Sequence, residues 1–227
     1  MRDITIKEFV NAGVHFGHHS SRWNPKMFPY IFRRKKGTHV IDLVQTSSLL
    51  KLAYDYVQIA AKKKKTFLFI GTKRQASDII AKEAKKCGAH YVSNRWLGGI
   101  LTNWSTVRSR VNYLKKLDKK EISGKIALLP KKEAAFLRRK YDKLDYNLGG
   151  LRKMRKIPDV VIVVDPKRES TAIEECRKLR IKIVSILDTN CDPDLVDLAI
   201  PANDDSVDSI ELIISTLASG ILVGSHS

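Results

Sequence analysis

The sequence predicts an α/β protein with a doubly wound parallel sheet and an inserted antiparallel helical hairpin. Two apolar runs, TFLFIGT at 66–72 and DVVIVVD at 159–165, have no charge inside them. Such runs are typical of strands that are buried on both faces of a parallel sheet. Segments with apolar residues at helical spacing follow both runs. Alternating strands and helices favour one sheet with helices on both faces.

The N-terminal segment predicts a short helix and then a long loop. Thr5 followed by Glu8 is a capping-box pattern, which predicts a helix through Val10 that ends at Gly13. The stretch 15–36 has no helical period and is rich in Trp, Pro, Arg and His. Connections of this length without secondary structure are uncommon and are usually functional. We therefore expect 15–36 to be a binding loop.

The remaining elements of the sheet alternate along the chain, with strands read from apolar runs and helices from apolar spacing. In order, we predict strand 38–43, helix 49–61, strand 66–72, helix 75–87 closed by Gly88, strand 90–94, strand 159–165, helix 169–179, strand 181–188, strand 198–200 and a helix from about residue 206.

Residues 102–148 interrupt this alternation. Apolar residues recur at steps of three and four in two segments, which is the spacing of a narrow seam between paired helices. A polar turn that contains Gly124 joins the segments, so they must double back as an antiparallel hairpin. We expect one discontinuous α/β domain from 1–101 and 149–227, in which 1–37 carries the first helix and the basic loop. The seam residues are Trp104, Val107, Val111, Leu114, Ala134, Leu137, Tyr141, Leu144 and Leu148.

Positive charge is concentrated in the first two thirds of the chain. The sequence has 42 Lys and Arg against 24 Asp and Glu, for a net charge of +18. Two windows, 9–41 and 84–117, contain no acid, whereas eight acids and no Lys or Arg follow Lys182. A phosphate-binding face excludes carboxylates because they repel the anion, although a lysine-rich solvated surface is the alternative. We expect a polyanionic partner, with the acidic end facing away from it.

The acid-free windows supply candidate contacts to nucleic acid. Arg, Lys and Asn donate to phosphates, while Trp and His offer flat rings to bases. Trp104 is assigned to the core, and Trp96 is read as part anchor and part contact. The candidate RNA-binding residues are His15, His18, His19, Arg22, Trp23, Asn24, Lys26, Arg33, Arg34, Lys35, Lys36, Lys73, Arg74, Asn94, Arg95, Trp96, Asn103, Arg108 and Arg110.

The alternative from another class is a nucleotide-dependent enzyme. Lys73 follows a strand and a glycine, and Asp165 and Asp188 end two strands at the carboxyl edge of the sheet, where such enzymes bind ligands. However, the chain has neither a P-loop nor a GxGxxG motif, and no catalytic set can be argued from spacing. The histidines of HFGHH (15–19) have no cysteine or carboxylate close in sequence to complete a zinc site. We therefore expect no catalytic residue, metal, cofactor or small-molecule substrate.

Other features indicate a protein of a reducing compartment. Cys87, Cys176 and Cys191 are scattered and form no CxxC pair. The N-terminus lacks the apolar region of a secretory signal, and the uncharged stretch 212–224 is too short to span a bilayer. We expect no membrane segment.

Six motifs are distributed over nearly the whole chain: GVHFGHHSSRWNPKM (13–27), FIGTKRQA (69–76), RWLGGILTNW (95–104), LGGL (148–151), PDVVIVVD (158–165) and DTNCDPDLVDLAIPANDD (188–205). In this order they resemble the bacterial-type small-subunit ribosomal protein two family. The resemblance implies a Rossmann-like sheet with a coiled-coil hairpin and a non-catalytic protein that binds small-subunit ribosomal RNA. It also implies neighbouring small-subunit proteins as partners, including the large protein that captures messenger RNA. A free regulatory RNA binder is a further alternative.

The motifs DTNCDPD and PANDD are most similar to the plastid and cyanobacterial branch of that family. The resemblance therefore implies a location in the chloroplast stroma, in the ribosome, with the bacterial cytoplasm as the alternative.

Overall fold

The computed structural model of the protein describes residues 4–126 and 128–226. The helices and strands of this part of the chain are α1 (Ile6–Asn11), β1 (Phe16–His19), β2 (Ile31–Lys35), β3 (Thr38–Ile41), α2 (Leu43–Lys62), β4 (Phe67–Ile70), α3 (Ser77–Lys86), β5 (His90–Val92), α4 (Trp104–Ile122), α5 (Lys131–Leu148), β6 (Val160–Val164), α6 (Ser170–Lys178), β7 (Lys182–Leu187), β8 (Leu198–Pro201) and α7 (Val207–Ser225).

Five strands form one parallel sheet in the order β5-β4-β6-β7-β8. Ile162 in β6 pairs with Phe69 in β4 and with Val184 in β7, so the charge-free runs occupy the middle of the sheet. The chain crosses outward from β4 to β5 and then returns to place β6 on the other side of β4. This change of direction makes a topological switch point between β4 and β6. The predicted α/β fold class is confirmed.

Alternate side chains of the central strands belong to two apolar cores, one on each face of the sheet. Phe69 and Ile162 face the core that packs against α2, α3 and α7. Leu68 and Val161 face the second core, which contains residues of α6 and the base of α4. Successive strand side chains point to opposite faces, and all of these are fully buried. Each such side chain contributes about 1.5–3 kcal/mol of transfer free energy, so both layers of helices hold the sheet.

Helix α7 is long and apolar enough to cross a membrane by length and composition. Half of its apolar window is buried inside the fold. Gly220 lies against Tyr54 and Val57, and Gly224 lies against the Gln58 carbonyl, so the helix approaches α2 closely. This packing is that of a core helix.

The N-terminal segment differs from the sequence prediction. The capping box is confirmed, because the Glu8 amide donates to Thr5 Oγ1 at 3.3 Å and the Thr5 amide donates to Glu8 Oε2 at 2.8 Å. The prediction of a loop at 15–36 is wrong: this stretch contains β1, a 3-10 turn at Pro25–Tyr30 and β2. β1 and β2 pair on either side of β3 in an antiparallel sheet.

A two-residue turn joins β2 to β3. Lys36 and Gly37 have φ of 49° and 82°. Positive φ at both central residues is the requirement of a type I′ turn, whose twist suits a tight hairpin. Gly37 meets this requirement without steric cost. The antiparallel sheet therefore projects a short hairpin with a basic tip.

The predicted helical hairpin is present as α4 and α5. Arg138 Nε lies 3.6 Å from Glu121 Oε1, and Lys140 Nζ lies 4.8 Å from the centre of the Tyr113 ring. Glu121, near the end of α4, contacts an earlier residue of α5 than does Tyr113, in the middle of α4, so the helices run antiparallel. Supercoiling into a coiled coil and the division into domains stay predictions.

Candidate nucleic-acid interface

Both acid-free windows reach the carboxyl edge of the parallel sheet. The His18 amide donates to Asp188 Oδ1 at 3.1 Å, and the Asn24 amide donates to the Thr189 carbonyl at 2.8 Å. Because Asp188 follows β7, these bonds dock the antiparallel sheet on that edge. The second window leaves β5 at the same edge, since neighbouring strands are parallel. The segments are therefore placed on one side of the molecule.

The hairpin of β2 and β3 carries an uncompensated group of cations. Arg33, Arg34, Lys35 and Lys36 are all exposed, and none forms an ion pair within the described residues. β2 is an edge strand of the antiparallel sheet. Four exposed cations in consecutive positions give a concentrated positive potential. We call these four residues the hairpin cations.

Two exposed aromatic rings accompany the hairpin cations. Phe28 is 70% exposed and Phe32 is 67% exposed. Arg33 Cζ lies 5.7 Å from the centre of the Phe32 ring. Flat rings beside cations stack on unpaired bases, as in many RNA-binding surfaces. Neither ring was among the predicted contacts; a phenylalanine directly before the basic run is the sequence signal for Phe32, and Phe28 has no comparable signal.

A second group of exposed cations surrounds the entrance to the helical hairpin. Arg74, Arg95, Arg108 and Arg110 are exposed and form no ion pair within the described residues. Asn103, at the start of α4, is also exposed, and its side chain makes no capping bond. We call these four arginines the base cations. They can meet a second stretch of phosphates.

The Asn94 side chain is used inside the protein. Its Nδ2 donates to the Tyr146 carbonyl at 2.6 Å. This bond ties the segment after β5 to the end of α5, so Asn94 positions the neighbouring Arg95.

One buried carboxylate holds the turn between β5 and α4. Glu175 accepts hydrogen bonds from the amides of Gly99 (2.8 Å), Leu101 (2.9 Å) and Thr102 (3.0 Å). It also accepts from the Thr102 hydroxyl at 3.0 Å and from Trp96 Nε1 at 2.9 Å. Burial alone would raise the pKa of Glu175, but these donors outweigh it and lower the pKa. The turn is therefore fixed from beneath by an acid that lies 73 or more positions away.

The two tryptophans of this turn are structural. Trp96 is half-buried and gives its ring N–H to Glu175. Trp104 is half-buried and packs against the same core, as predicted. Trp96 therefore anchors the turn, and any contact with a partner involves its remaining exposed edge.

The histidines and their neighbours have different environments. His19 is exposed, with Nδ1 2.9 Å from Ser21 Oγ. His15 is half-buried, and burial followed by the charge of Lys35 lowers its pKa. Trp23 is half-buried against the ring of His39, 5.0 Å away. The half-buried rings of His15 and Trp23 therefore support the shape of the antiparallel sheet.

The other candidate contacts of the N-terminal segment differ in whether their side chains already have partners within the protein. Arg22 is exposed and forms no ion pair within the described residues. Asn24 accepts a bond from the Lys26 amide at 3.0 Å and so begins the 3-10 turn. His18 is half-buried, with Nδ1 2.9 Å from Asp188 Oδ2. Arg22 therefore extends the exposed positive surface, while Asn24 and His18 act within the fold.

The structure places Lys73 and Lys26 in ion pairs. Lys73 is buried, with Nζ 2.5 Å from Asp204 Oδ1 and 2.6 Å from Asp205 Oδ1. A phosphate contact from Lys73 would require these pairs to break, so we remove it from the interface. Lys26 is exposed, but its Nζ lies 2.8 Å from Asp192 and 2.7 Å from Asp194.

The aspartates that pair with Lys26 and Lys73 lie beside the basic N-terminal segment, while the expectation that the acidic end faces away from the polyanion stays a prediction. They follow β7 and β8, and the carboxyl ends of parallel strands lie at one edge. The acids therefore return to the edge on which the N-terminal segment docks.

Protein groups fill the switch point between β4 and β6. The Thr72 amide and hydroxyl donate to Glu169 Oε1 at 2.8 Å and 2.5 Å. Asp165 lies 3.8 Å from Lys73. The amide and the cation that would hold a phosphate here already have internal partners. The geometry gives no support to the nucleotide-dependent enzyme.

Comparison with known proteins gives one consistent result. The model of the family described as Ribosomal protein S2 matches residues 9–224. The small ribosomal subunit protein uS2c of Emiliania huxleyi is 67% identical over 227 residues, which are 100% of this chain and 99% of the relative. The uS2c protein of Cyanophora paradoxa is 59% identical, with 100% and 97% covered. The uS2 protein of the cyanobacterium Trichormus variabilis is 56% identical, with 98% and 84% covered.

Proposed function

Since the chain belongs to the ribosomal protein S2 family, we propose that its basic edge binds small-subunit ribosomal RNA through the hairpin cations and the base cations. The protein is a structural constituent of the small ribosomal subunit. Its similarity to algal uS2c proteins, with cyanobacterial uS2 proteins beside them, assigns it to the chloroplast ribosome. The resemblance based on its motifs is confirmed.

The observation that carries this proposal is the absence of acidic partners for the exposed cations of one edge. Lys26 and Lys73 have aspartates beside them, whereas the hairpin cations and base cations have none within the described residues. An uncompensated group of this kind gains most from phosphate, because each contact releases a condensed counterion. Phe28 and Phe32 add stacking surfaces for unpaired bases.

The helical hairpin extends the contact. Residues 102–148 contain 13 Lys and Arg against five Asp and Glu, and most of these charged side chains are exposed. A projecting pair of basic helices spans several phosphates along an RNA groove. Recognition is by charge and shape, so the protein acts as a clamp between RNA segments.

The family indicates a structural, non-enzymatic role. We propose that the protein catalyses no reaction and requires no small-molecule substrate or membrane. We also propose that its partners include neighbouring small-subunit proteins, among them the large protein that captures messenger RNA.

A charge-matched pair of variants tests the RNA interface. In the first, Arg33, Arg34, Lys35 and Lys36 are changed to Gln. In the second, the four exposed lysines at 62–65 are changed to Gln. These lysines begin at the last residue of α2 and run toward the start of β4, at the amino edge of the sheet. Both variants lose four positive charges, so only the position of the charge differs.

Affinity for small-subunit ribosomal RNA is measured against salt concentration. Each phosphate contact contributes about 0.7–0.9 to the slope of log K against log salt, so the first variant should lower the slope by about 3. The second variant should leave the slope nearly unchanged. Equal slopes for the two variants would contradict the proposed interface.

Sedimentation distinguishes a ribosomal constituent from a free regulatory RNA binder. The tagged wild-type chain should sediment with small subunits at one copy per subunit. The first variant should shift toward free protein at raised salt while the second does not. A wild-type chain that remained mostly unbound would contradict the constituent role.

A further inference from the structure

Four potential metal ligands from distant parts of the chain meet where β1 docks on the parallel sheet. They are His18, Asp188, Asp204 and Asp205, and one ligand atom from each lies within 4.8 Å of the others. His18 belongs to β1, Asp188 follows β7, and the other two aspartates follow β8. The first three side chains are at most 16% exposed.

Each aspartate has one oxygen that is held by a donor outside the group or by a backbone amide. Asp188 Oδ1 accepts from the backbone amide of His18 at 3.1 Å and from the Thr189 hydroxyl at 3.1 Å. Asp204 Oδ1 and Asp205 Oδ1 are both paired with Lys73. Metal-bound carboxylates are commonly oriented in this way by hydrogen bonds to the oxygen that does not bind the metal.

The second oxygens are directed to the group itself. Asp188 Oδ2 lies 2.9 Å from His18 Nδ1, and Asp205 Oδ2 lies 3.5 Å from His18 Nε2. Asp204 Oδ2 is fully buried and has no hydrogen-bond partner among the described residues, on a side chain with 0% exposure. Nδ1 of His18 is likewise buried and is not aligned for a hydrogen bond. An unsatisfied buried polar group is costly, and Asp204 Oδ2 is such a group in this cluster.

The net negative charge of the cluster favours binding of a divalent cation. Three carboxylates and the Lys73 ammonium leave a charge of −2 when His18 is neutral. We propose that His18, Asp188, Asp204 and Asp205 form a Zn²⁺ site. Imidazole together with carboxylate suits Zn²⁺, whereas Mg²⁺ prefers oxygen ligands alone. Tetrahedral bonds of about 2.0–2.1 Å place ligand atoms roughly 3.3 Å apart. The two histidine–aspartate contacts use opposite ring nitrogens of His18, and only one of these nitrogens can bind the ion. The four ligand atoms lie within 4.8 Å of one another, so a bound Zn²⁺ would draw them together.

A protonated His18 is the competing arrangement. The side-chain interaction with Asp188 raises the pKa of His18, and the charges of Asp204 and Asp205 add to the effect. Asp204 also belongs to a second possible group with Asp165 and Cys191. Burial raises the pKa of the Cys191 thiol, which disfavours the thiolate that a metal needs.

The ion would connect the antiparallel sheet to the parallel sheet. His18 is the contribution of the N-terminal segment, while the three aspartates belong to the carboxyl edge. A bound Zn²⁺ would therefore fix the position of the hairpin cations relative to the base cations. The site is distinct from the proposed RNA interface, because none of its ligands is a hairpin cation or a base cation.

The experiment uses the full-length chain after removal of metals with a chelator. Zn²⁺ content is measured by elemental analysis, and affinity is measured by competition with a chromophoric chelator in the presence of millimolar Mg²⁺. His18→Gln is compared with His19→Gln, which changes the exposed neighbour in the same motif. Asp205→Asn removes the most exposed ligand, at 55% exposure, and so has the smallest effect on folding. Cys191→Ser tests the second group.

We expect one Zn²⁺ per chain in the wild type, His19→Gln and Cys191→Ser. His18→Gln and Asp205→Asn should bind Zn²⁺ at least tenfold more weakly, and Zn²⁺ should raise the melting temperature of the wild type but not of His18→Gln. Absence of Zn²⁺ binding in the wild type would overturn the proposal in favour of a protonated His18. Equal affinity in His18→Gln and His19→Gln, or loss only in Cys191→Ser, would also overturn it. None of these outcomes depends on RNA binding.

Discussion

Replacing Glu175 with Gln should destabilise the protein by removing the acceptor beneath the turn that leads into the helical hairpin. Oε1 accepts from Trp96 and Gly99, and Oε2 accepts from Leu101 and Thr102. Gln keeps the volume but replaces one oxygen with an NH2 group, so at least two donors lose their acceptor. Each unsatisfied buried donor costs about 1–3 kcal/mol. Because two donors lose their acceptor, we expect the free energy of unfolding to fall by about 2–6 kcal/mol.

The assay is urea unfolding of the full chain, with Glu174→Gln as the matched control. Glu174 is the exposed neighbour on the same helix, and its replacement should change the free energy of unfolding by less than about 0.5 kcal/mol. Equal stabilities for the two variants would refute the assignment of Glu175 as the anchor of the turn.

The same carboxylate predicts a pH dependence of known sign. The donors lower the pKa of Glu175 below its ordinary value of 4.5. A lowered folded-state pKa stabilises the protein fully above the unfolded-state value and loses that contribution as the pH falls through the folded-state value. Stability of the wild type should therefore fall below about pH 4.5 more than that of Glu175→Gln. A parallel fall in both proteins would show that other groups control acid unfolding.

Two further substitutions test how the parts are joined. At Gly17, a Cβ would lie 2.6 Å from Thr189 Cγ2. Gly17→Ala should therefore lower the free energy of unfolding by about 1–3 kcal/mol through overpacking, and it should increase proteolysis within the antiparallel sheet. Gly98→Ala is the control, because the space around Gly98 is open; equal urea midpoints for the two variants would contradict the close approach. Arg152 Nη2 lies 2.9 Å from Asp118 and 3.0 Å from Asp145. Arg152→Gln should speed hydrogen exchange in α4 and α5 but not in α2, and unchanged exchange would show that these bonds do not hold the base of the hairpin.

The parallel sheet could be predicted because its strands are buried on both faces. Residues 67–70 and 160–164 are entirely buried, so the sequence there contains no charge. The start of α2 was harder to find. The helix begins at Leu43, six residues before the predicted start, because Asp42 Oδ1 accepts from the Val44 amide at 2.9 Å. The polar residues at 45–48 conceal this cap from an argument based on apolar spacing.

The antiparallel sheet could not be found from periodicity. Four of the five residues of β2 are exposed, so its two faces do not alternate between apolar and polar. The strand exists because it pairs with β3 through a two-residue turn. A strand with solvent on both faces gives no period-two signal, and its basic composition resembles that of a loop.

The cluster at His18 was also beyond the reach of the sequence. His18 and Asp188 are 170 positions apart, and Lys73 and Asp204 are 131 positions apart. Spacing arguments find ligands that share a helix or a loop, whereas this group forms only when β1, β7 and β8 are in place. The sequence showed three histidines without carboxylates nearby, and the fold supplies those carboxylates.

Charges in this protein therefore differ in whether they are paired. Acidic residues after β7 and β8 contact the N-terminal segment at His18 and neutralise Lys73. The hairpin cations are exposed and have no acidic partner within the described residues. If the aspartates faced away, Lys73 would be a buried charge without a partner, which is strongly destabilising. The acids thus stabilise the carboxyl edge of the parallel sheet, and the hairpin cations remain free to bind RNA.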